Sequence, residues 1–459
     1  MAISPKEHPA SYRDPAGFIF EQDGKYYRQV NKTFQKEFDH FLQSGCYADL
    51  VAKKLLIPHE EITGNLNSSA DCYKVLLPRQ LPFVSQPGEW SFSMLREAAL
   101  LTLEVNRTAL AHDMILKDAT PYNIQWLDGG WCFIDTLSFA PYTETPWVAY
   151  RQFCETFLAP LLLMHYGRIQ APGLLLGWPE GVPLATAAAW LPGRSRFSLH
   201  ANLHIHLHAR LSGKPEAPVR QPQQLSKPKL LNLLTSLEVL IRGLKLPKES
   251  GHWSQYYAEA SQRDGYLEQK KQIITRWLEN LGQLNLAIDL GTNDGLFARL
   301  LREKAGTVIA VDQDPVCVDR LYRAVTSEHL QILPLVVDLA QPTPAIGFAN
   351  VERAAFIKRA KADLVTALAL IHHLAIGKNI PLARIAELLA GMAPNLFVEF
   401  VPKTDPQLEN MLKRKSDIFP HYHQEGFEAA FTKFFSIEEK LPVGASGRVL
   451  YRLKKLANP

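Results

Sequence analysis

The chain of 459 residues is poor in cysteine: only Cys46, Cys72, Cys132, Cys154 and Cys317 occur, and none form a C-x-x-C pair. An odd, scattered set excludes a disulfide framework and a cysteine-based structural zinc site, and it fits reduced thiols in a cytoplasmic protein. Long apolar runs are missing too. The N-terminal "MAISPKEHPASYRDPAG" has no apolar signal core, and stretches such as "FLAPLLLMHYG" are too short to span a bilayer. Nor is there an excess of one charge. With 50 Lys and Arg against 46 Asp and Glu, the net charge is +4, so attraction to nucleic acid or to an acidic membrane is not demanded and any basic patch is local. What the chain does have is length and 47% hydrophobic residues, enough for two or three domains with filled cores.

Proline and charge break the chain at "LSGKPEAPVRQPQQLSKPK" (211–229), which reads as a linker or exposed loop. The spacing predicts an α+β domain over 1–210, a linker and helix over 211–245, and an α/β domain over 246–459. In the last, "LAIDL", "TVIAVD", "QILPLVVD", "ADLVTALAL" and "NLFVEFV" alternate with helical segments such as "GLFARLLREKA", the pattern of βαβ units in a parallel sheet. Two final runs, "FFSIEEKL" and "SGRVLYRLKK", predict an antiparallel hairpin at the sheet edge. In the first half, "GFIFEQDGKYYRQV" predicts a hairpin turning at Asp23 and Gly24, and "FSMLREAALLTLEVNRTALAHDM" a long helix.

The stretch "LAIDLGTNDGLFARLL" (286–301) runs from a strand through a glycine bend into a helix, which turns backbone N–H groups towards a ligand. A dinucleotide fingerprint needs G-x-G-x-x-G, and only Gly291 and Gly295 are present, with Asn293 between them. Asp289 would repel a pyrophosphate but attract the ammonium of an amino-acid moiety. Asp312, at the end of the next strand, is suited to accept hydrogen bonds from ribose hydroxyls. An amino-acid amine together with a ribose describes S-adenosylmethionine.

On these residues the segment from about 250 to 456 resembles the class I S-adenosylmethionine-dependent methyltransferases. "DLGTNDG" matches their first motif, "VDQDP" the second, "VVDLAQP" the third and "DLVTALALIHHL" the fourth. Asn293 stands where the family usually has a glycine. The resemblance implies a Rossmann-like, mainly parallel sheet, and Asp289, Gly291, Thr292, Asn293, Gly295, Asp312, Gln313, Asp338 and Leu339 as the cofactor-binding set, Asp338 near the adenine amine. It also implies that "HWSQYYAEASQRDGY", with Trp253, Tyr256 and Tyr257, forms an entry segment over the cofactor.

Methyl transfer is an in-line displacement, for which a protein aligns the acceptor, excludes water and sometimes removes a proton. His372 and His373, at the end of the fourth strand, and Glu399, at the end of the fifth, are the candidate catalytic residues, and each has a structural alternative: helix capping or packing for the histidines, pairing with Lys403 or Arg448 for Glu399. "ALALIHHL" differs from the N-P-P-Y type of motif that stacks a flipped base, so the expected acceptor is a hydroxyl or carboxyl of a small molecule, sugar or lipid intermediate, by O-methylation. "HANLHIHLH" sets His204, His206 and His208 on one face of a strand, or His200, His204 and His208 close together on a helix; without acidic or cysteine partners, no metal site is expected.

In the first half, "LKDATPYNIQWLDGGWCFIDTLSF" places Asp118 and Asn123 in D-x-x-x-x-N spacing, followed by Asp135. Over about 95–165 this resembles protein and aminoglycoside kinases, in which such residues position a hydroxyl and hold Mg²⁺. The glycine-rich loop, the V-A-I-K lysine and the glycine after the second aspartate are all absent. The expectation is therefore a kinase-like domain that supplies substrate binding or a lid. The rival readings are a phosphotransferase centred on Asp118 and a non-catalytic cofactor-binding scaffold.

Overall fold

The computed structural model describes residues 6–64, 66, 68–171, 173–212, 224–247, 265–413 and 418–457. The chain forms two compact units, Met1–Lys248 with Ala345–Ala354, and Glu249–Pro344 with Ala355–Pro459.

The first unit is α+β. Strands Lys6–Glu7, Gly17–Gln22, Lys25–Asn31, Cys72–Pro78 and His59–Ile62 lie side by side in that order, all antiparallel. The hairpin turns at Asp23 (φ 51) and Gly24 (φ 72), two left-handed residues whose twist matches that of the flanking strands. Phe20 and Val30 are fully buried on the sheet. Helix Phe92–Ala111 buries a stripe including Leu95, Ala98, Ala99, Thr102 and Leu103, as its apolar spacing predicts. The helices that follow end with Lys227–Gly243, which begins inside the stretch read as a loop from its prolines. Pro228 sits in that helix's first turn, where a missing N–H leaves no intrahelical bond unmade. The rest of the stretch, 213–223, lies outside the described residues, as do Trp253, Tyr256 and Tyr257.

Residues 345–354 belong to the first unit although they fall between strands of the second in the chain. Ile346 and Arg353 form an antiparallel bridge, and Glu352 accepts hydrogen bonds from Tyr12 Oη (2.7 Å) and Arg13 Nε (2.8 Å). The Arg353 guanidinium stacks 4.3 Å from the Tyr122 ring, and Gln86 donates to the Ala354 carbonyl.

The second unit carries a seven-stranded sheet. Its strands in chain order are Leu284–Leu290, Ala305–Asp312, Ile332–Val336, Leu364–Ala367, Asn395–Phe400, Phe435–Pro442 and Val449–Lys455. Across the sheet they run third, second, first, fourth, fifth, seventh, sixth. The first five are parallel, and the last two form the expected antiparallel edge. The parallel strands are apolar at nearly every position because both faces are covered; Ile288, Leu290, Val308 and Ile309 are fully buried. The order reverses between the first and fourth strands, and such a reversal leaves a crevice at their carboxyl ends.

Candidate active site

A cleft in the second unit opens at the carboxyl ends of the parallel strands. Of the residues assigned to a cofactor by sequence, Asp289, Gly291, Asn293, Asp312, Gln313, Asp338 and Leu339 line it. Thr292 and Gly295 do not, and act instead in the bend that shapes it. Gly291 (φ 75) and Gly295 (φ 82) are left-handed, and a Cβ on Gly295 would collide with Leu321 Cδ1. Asn293, in the family's glycine position, also adopts a left-handed conformation (φ 50), which asparagine tolerates better than most residues. Asp312 braces the bend: Oδ2 accepts from the Asn293 amide (2.9 Å) and Oδ1 from the Asp314 amide (2.9 Å). Burial nevertheless pushes its carboxyl above the ordinary range.

Asp289 is the most telling group. It is buried, and Oδ1 accepts a 2.6 Å hydrogen bond from Thr366 on the neighbouring fourth strand, while Oδ2 has no hydrogen-bond partner among the described residues. Burial raises its pKa, and the Thr366 hydrogen bond, then the Thr292 hydroxyl and the charge of Lys270 nearby, oppose that rise; the Thr292 hydroxyl itself makes no hydrogen bond to Oδ2. A buried carboxylate oxygen left without a donor costs about 1–3 kcal/mol, so a donor supplied by a ligand in the cleft is favoured there. Further along the wall, Asp338 accepts from the Ala340 amide and pairs with Lys378 at 3.2 Å.

The two histidines part company. His373 lines the cleft, and burial together with the charge of Arg448 lowers its pKa to about 4, so its ring is neutral near pH 7. His372 is fully buried and absent from the cleft wall; its ring lies 4.1 Å from that of His373, and neither ring nitrogen has a hydrogen-bond partner among the described residues. Burial, then the charges of His373, Arg448 and Lys270, hold it well below its ordinary value.

Glu399 lies in an internal ion cluster, away from the cleft wall. It accepts from Tyr266 Oη (2.5 Å) and Lys270 Nζ (2.6 Å), with Arg448 at 3.7 Å. Arg448 in turn donates to Tyr266 Oη and pairs with Asp405 at 2.8 Å. The partner expected in Lys403 is not used: that side chain donates to the Phe419 carbonyl. Burial pushes the Glu399 carboxyl up, but Lys270 and Arg448 outweigh it and hold the group below its ordinary range.

Tyr266 and Lys270 also line the cleft, together with Phe297 and Lys378, and sequence reasoning passed over all four. A signal was available for Lys270. On helix Tyr266–Glu279 it occupies the i+4 position between buried Tyr266 and Ile274, where an amphipathic helix normally carries an apolar residue.

In the first unit, Asp118 accepts from Asn123 Nδ2 (3.1 Å) and Gln152 Nε2 (2.7 Å), and Asp135 pairs with Arg28 at 2.6 Å. Burial, reinforced by Asp135, raises the pKa of Asp118. The acids are thus engaged by amides and a guanidinium. Among the described residues no group of three or more His, Cys, Asp or Glu side chains is arranged to hold a metal ion. The "HANLHIHLH" stretch is helical, with Asn202–Leu207 forming a π turn; His204 bridges Tyr150 and Ser236 at 2.8 Å each, and His206 meets Ser195 at 2.8 Å. No described helix is long and apolar enough to cross a membrane.

No family model matches the sequence. The nodulation protein NoeA of Rhizobium meliloti (strain 1021) is 31% identical over 465 residues, covering 99% of this chain and 97% of the relative. Among solved structures, the N-methyltransferase NodS from Bradyrhizobium japonicum WM9 is similar at 13% identity, covering 42% of this chain and 98% of its own, with a TM-score of 0.32. WbdD is similar at 16% identity, covering 48% of this chain and 46% of its own, also with a TM-score of 0.32.

Proposed function

The chain belongs to the family of the nodulation protein NoeA, and from its own cleft we propose that it is an S-adenosylmethionine-dependent methyltransferase. The observation that carries this reading is the buried Asp289 Oδ2, which has no hydrogen-bond partner among the described residues, at a cleft that a second acid, Asp312 at the end of the neighbouring strand, also lines. That pairing suits one end of a ligand that is cationic and another that offers hydroxyl donors, and it disfavours a pyrophosphate. Asp289 would hold the amino group of the cofactor, Asp312 its ribose hydroxyls, and Asp338 and Leu339 its adenine. The bound cofactor would supply an electrophilic methyl group on a sulfonium.

The remaining work falls to the chain. Leu368, Leu370 and Leu374 give the cleft apolar walls that exclude water. His373 is neutral near pH 7 but, with its pKa lowered to about 4, a weak base, so its part is to orient an acceptor hydroxyl at the cleft rather than to deprotonate it fully, and the acceptor in this reading is a small molecule, sugar or lipid intermediate that is O-methylated. His372 supports the His373 ring by packing, and Glu399 holds Lys270 and Tyr266 at the cleft wall. The first unit would serve substrate binding rather than phosphoryl transfer, because Arg28 already neutralises the acid that a metal would need.

Calorimetry of the full chain with S-adenosylhomocysteine tests the cofactor assignment. Saturable binding is expected, weakened by roughly 1–3 kcal/mol in Asp289→Ala and Asp312→Ala. Binding by both variants equal to that of the parent would overturn it. A parallel titration with ATP and Mg²⁺ tests the rival: phosphorylation lost on Asp118→Asn would favour a phosphotransferase.

A further inference from the structure

The helical stretch Leu199–Ser212 has its polarity reversed. His204, Ile205 and His206 face inward, the two histidines each hydrogen-bonded, whereas Leu199, Leu203, Leu207 and Leu211 face solvent. The exposures are large: 76% for Leu199 and 56% for Leu211, with Phe197 at 91% just before the helix. In a regular α-helix, residues four apart drift by about 40° per step. The π turn at Asn202–Leu207 is wider, which offsets that drift and keeps the leucines near one line. Trp190, half-exposed and packed edge-on against Trp178, adds a further apolar group. Scattered single exposed leucines need no explanation, but a ridge of five large side chains within fifteen residues does.

The stretch of sequence that carries this ridge holds charge of one sign. Between Glu180 and Glu216 the sequence holds no acidic residue, while Arg194, Arg196 and Arg210 are all exposed. The Arg194 guanidinium lies 5.4 Å from the Tyr166 ring. Nearby Glu155 is already paired with Arg151. This is the local basic patch that a nearly neutral chain can carry, and it is interleaved with leucine, phenylalanine and tryptophan.

We propose that Trp190, Phe197 and the Leu199–Leu211 ridge form an interfacial membrane-binding face that seats on an anionic phospholipid surface, the apolar side chains entering the headgroup boundary and Arg194, Arg196 and Arg210 meeting lipid phosphates. Apolar area and cationic charge act together in such binding, and arginine fits phosphate in a bidentate fashion. The proposal is independent of the methyl-transfer reading, since it rests on different residues.

Vesicle co-sedimentation at low salt tests it, comparing phosphatidylcholine alone with an equal mixture of phosphatidylcholine and phosphatidylglycerol. The full chain is expected to sediment with the mixed vesicles and much less with the neutral ones. Phe197→Ser with Leu199→Ser, and separately Arg194→Glu with Arg196→Glu, should each lower the partition coefficient about tenfold or more. These side chains are exposed, so the melting curve should not move; Leu207→Ser with Leu211→Ser provides the same test from the other end of the ridge. Absence of sedimentation with mixed vesicles, or equal sedimentation of parent and variants, would overturn the proposal. So would a dimer in sedimentation velocity that dissociates in the serine variants without any vesicle binding, because a second copy would then be the occupant.

Discussion

Replacing Glu399 with glutamine separates a structural acid from a catalytic one. In the folded protein Glu399 and Asp405 balance Lys270 and Arg448, two acids against two bases, all essentially inaccessible to solvent. Glutamine is nearly isosteric, so the change leaves one uncompensated positive charge in the interior and weakens the contacts with Tyr266 and Lys270. Breaking a buried pair in this way costs about 3–5 kcal/mol. For a unit of roughly 200 residues each kcal/mol lowers the melting temperature by about 2–4 °C, giving a fall of about 6–20 °C. Scanning calorimetry reads this directly. Because its pKa is depressed in the folded state, the stabilisation from Glu399 is present above the unfolded carboxylate value and is lost as pH falls through the folded one, so the gap between parent and variant should narrow in acid. Lys270→Met with Glu399→Leu should recover much of the loss, since apolar groups replace the pair without stranding a charge. A variant that melts within 2 °C of the parent yet loses methyl transfer by a hundredfold or more would refute this reasoning and return Glu399 to the chemistry.

Asp289→Asn should weaken S-adenosylhomocysteine binding about tenfold or more by calorimetry, because Oδ2, without a hydrogen-bond partner among the described residues, loses its charge. His373→Ala should leave cofactor affinity within about twofold while lowering turnover about a hundredfold, measured by radiolabelled methyl transfer. His372 and His373 are both held neutral in the fold, so between about pH 6.5 and 4 the unfolded chain binds more protons; urea midpoints of the second unit should fall across that window, and less so in His372→Phe. Gly295→Ala should destabilise by about 1–3 kcal/mol, since it adds a Cβ at positive φ against Leu321, and thermal unfolding would show it.

Much of the second unit was legible because its strands are short apolar runs ended by acids and glycines, and period and punctuation are local signals. That Asp289, Asp312 and the glycine bend come together at one cleft was legible for the same reason, since motif and spacing lie within a few dozen residues. Lys270 was only half legible: its place on the apolar stripe of a helix marks it as unusual, but the acid it meets, Glu399, lies 129 residues away. The split between His372 and His373 depends on which way each ring turns at a strand end, which neighbouring identical letters do not reveal. The histidine-rich helix was open to a strand reading, since H-x-H-x-H alternates; only the tertiary partners Tyr150, Ser236 and Ser195 fix the inward imidazoles.

The excursion of residues 345–354 into the first unit bears on the order in which the chain is made. Tyr12, Arg13, Gln86 and Tyr122 emerge from the ribosome early, but their partners Glu352, Arg353 and Ala354 follow only after three strands of the second sheet. At ordinary translation speeds the roughly 100 residues after Lys248 take about 5–20 seconds. The first unit is therefore expected to stay incomplete while the second begins to assemble, and a nascent chain stalled shortly before residue 345 should be markedly more open to protease in its N-terminal half than the released full-length chain.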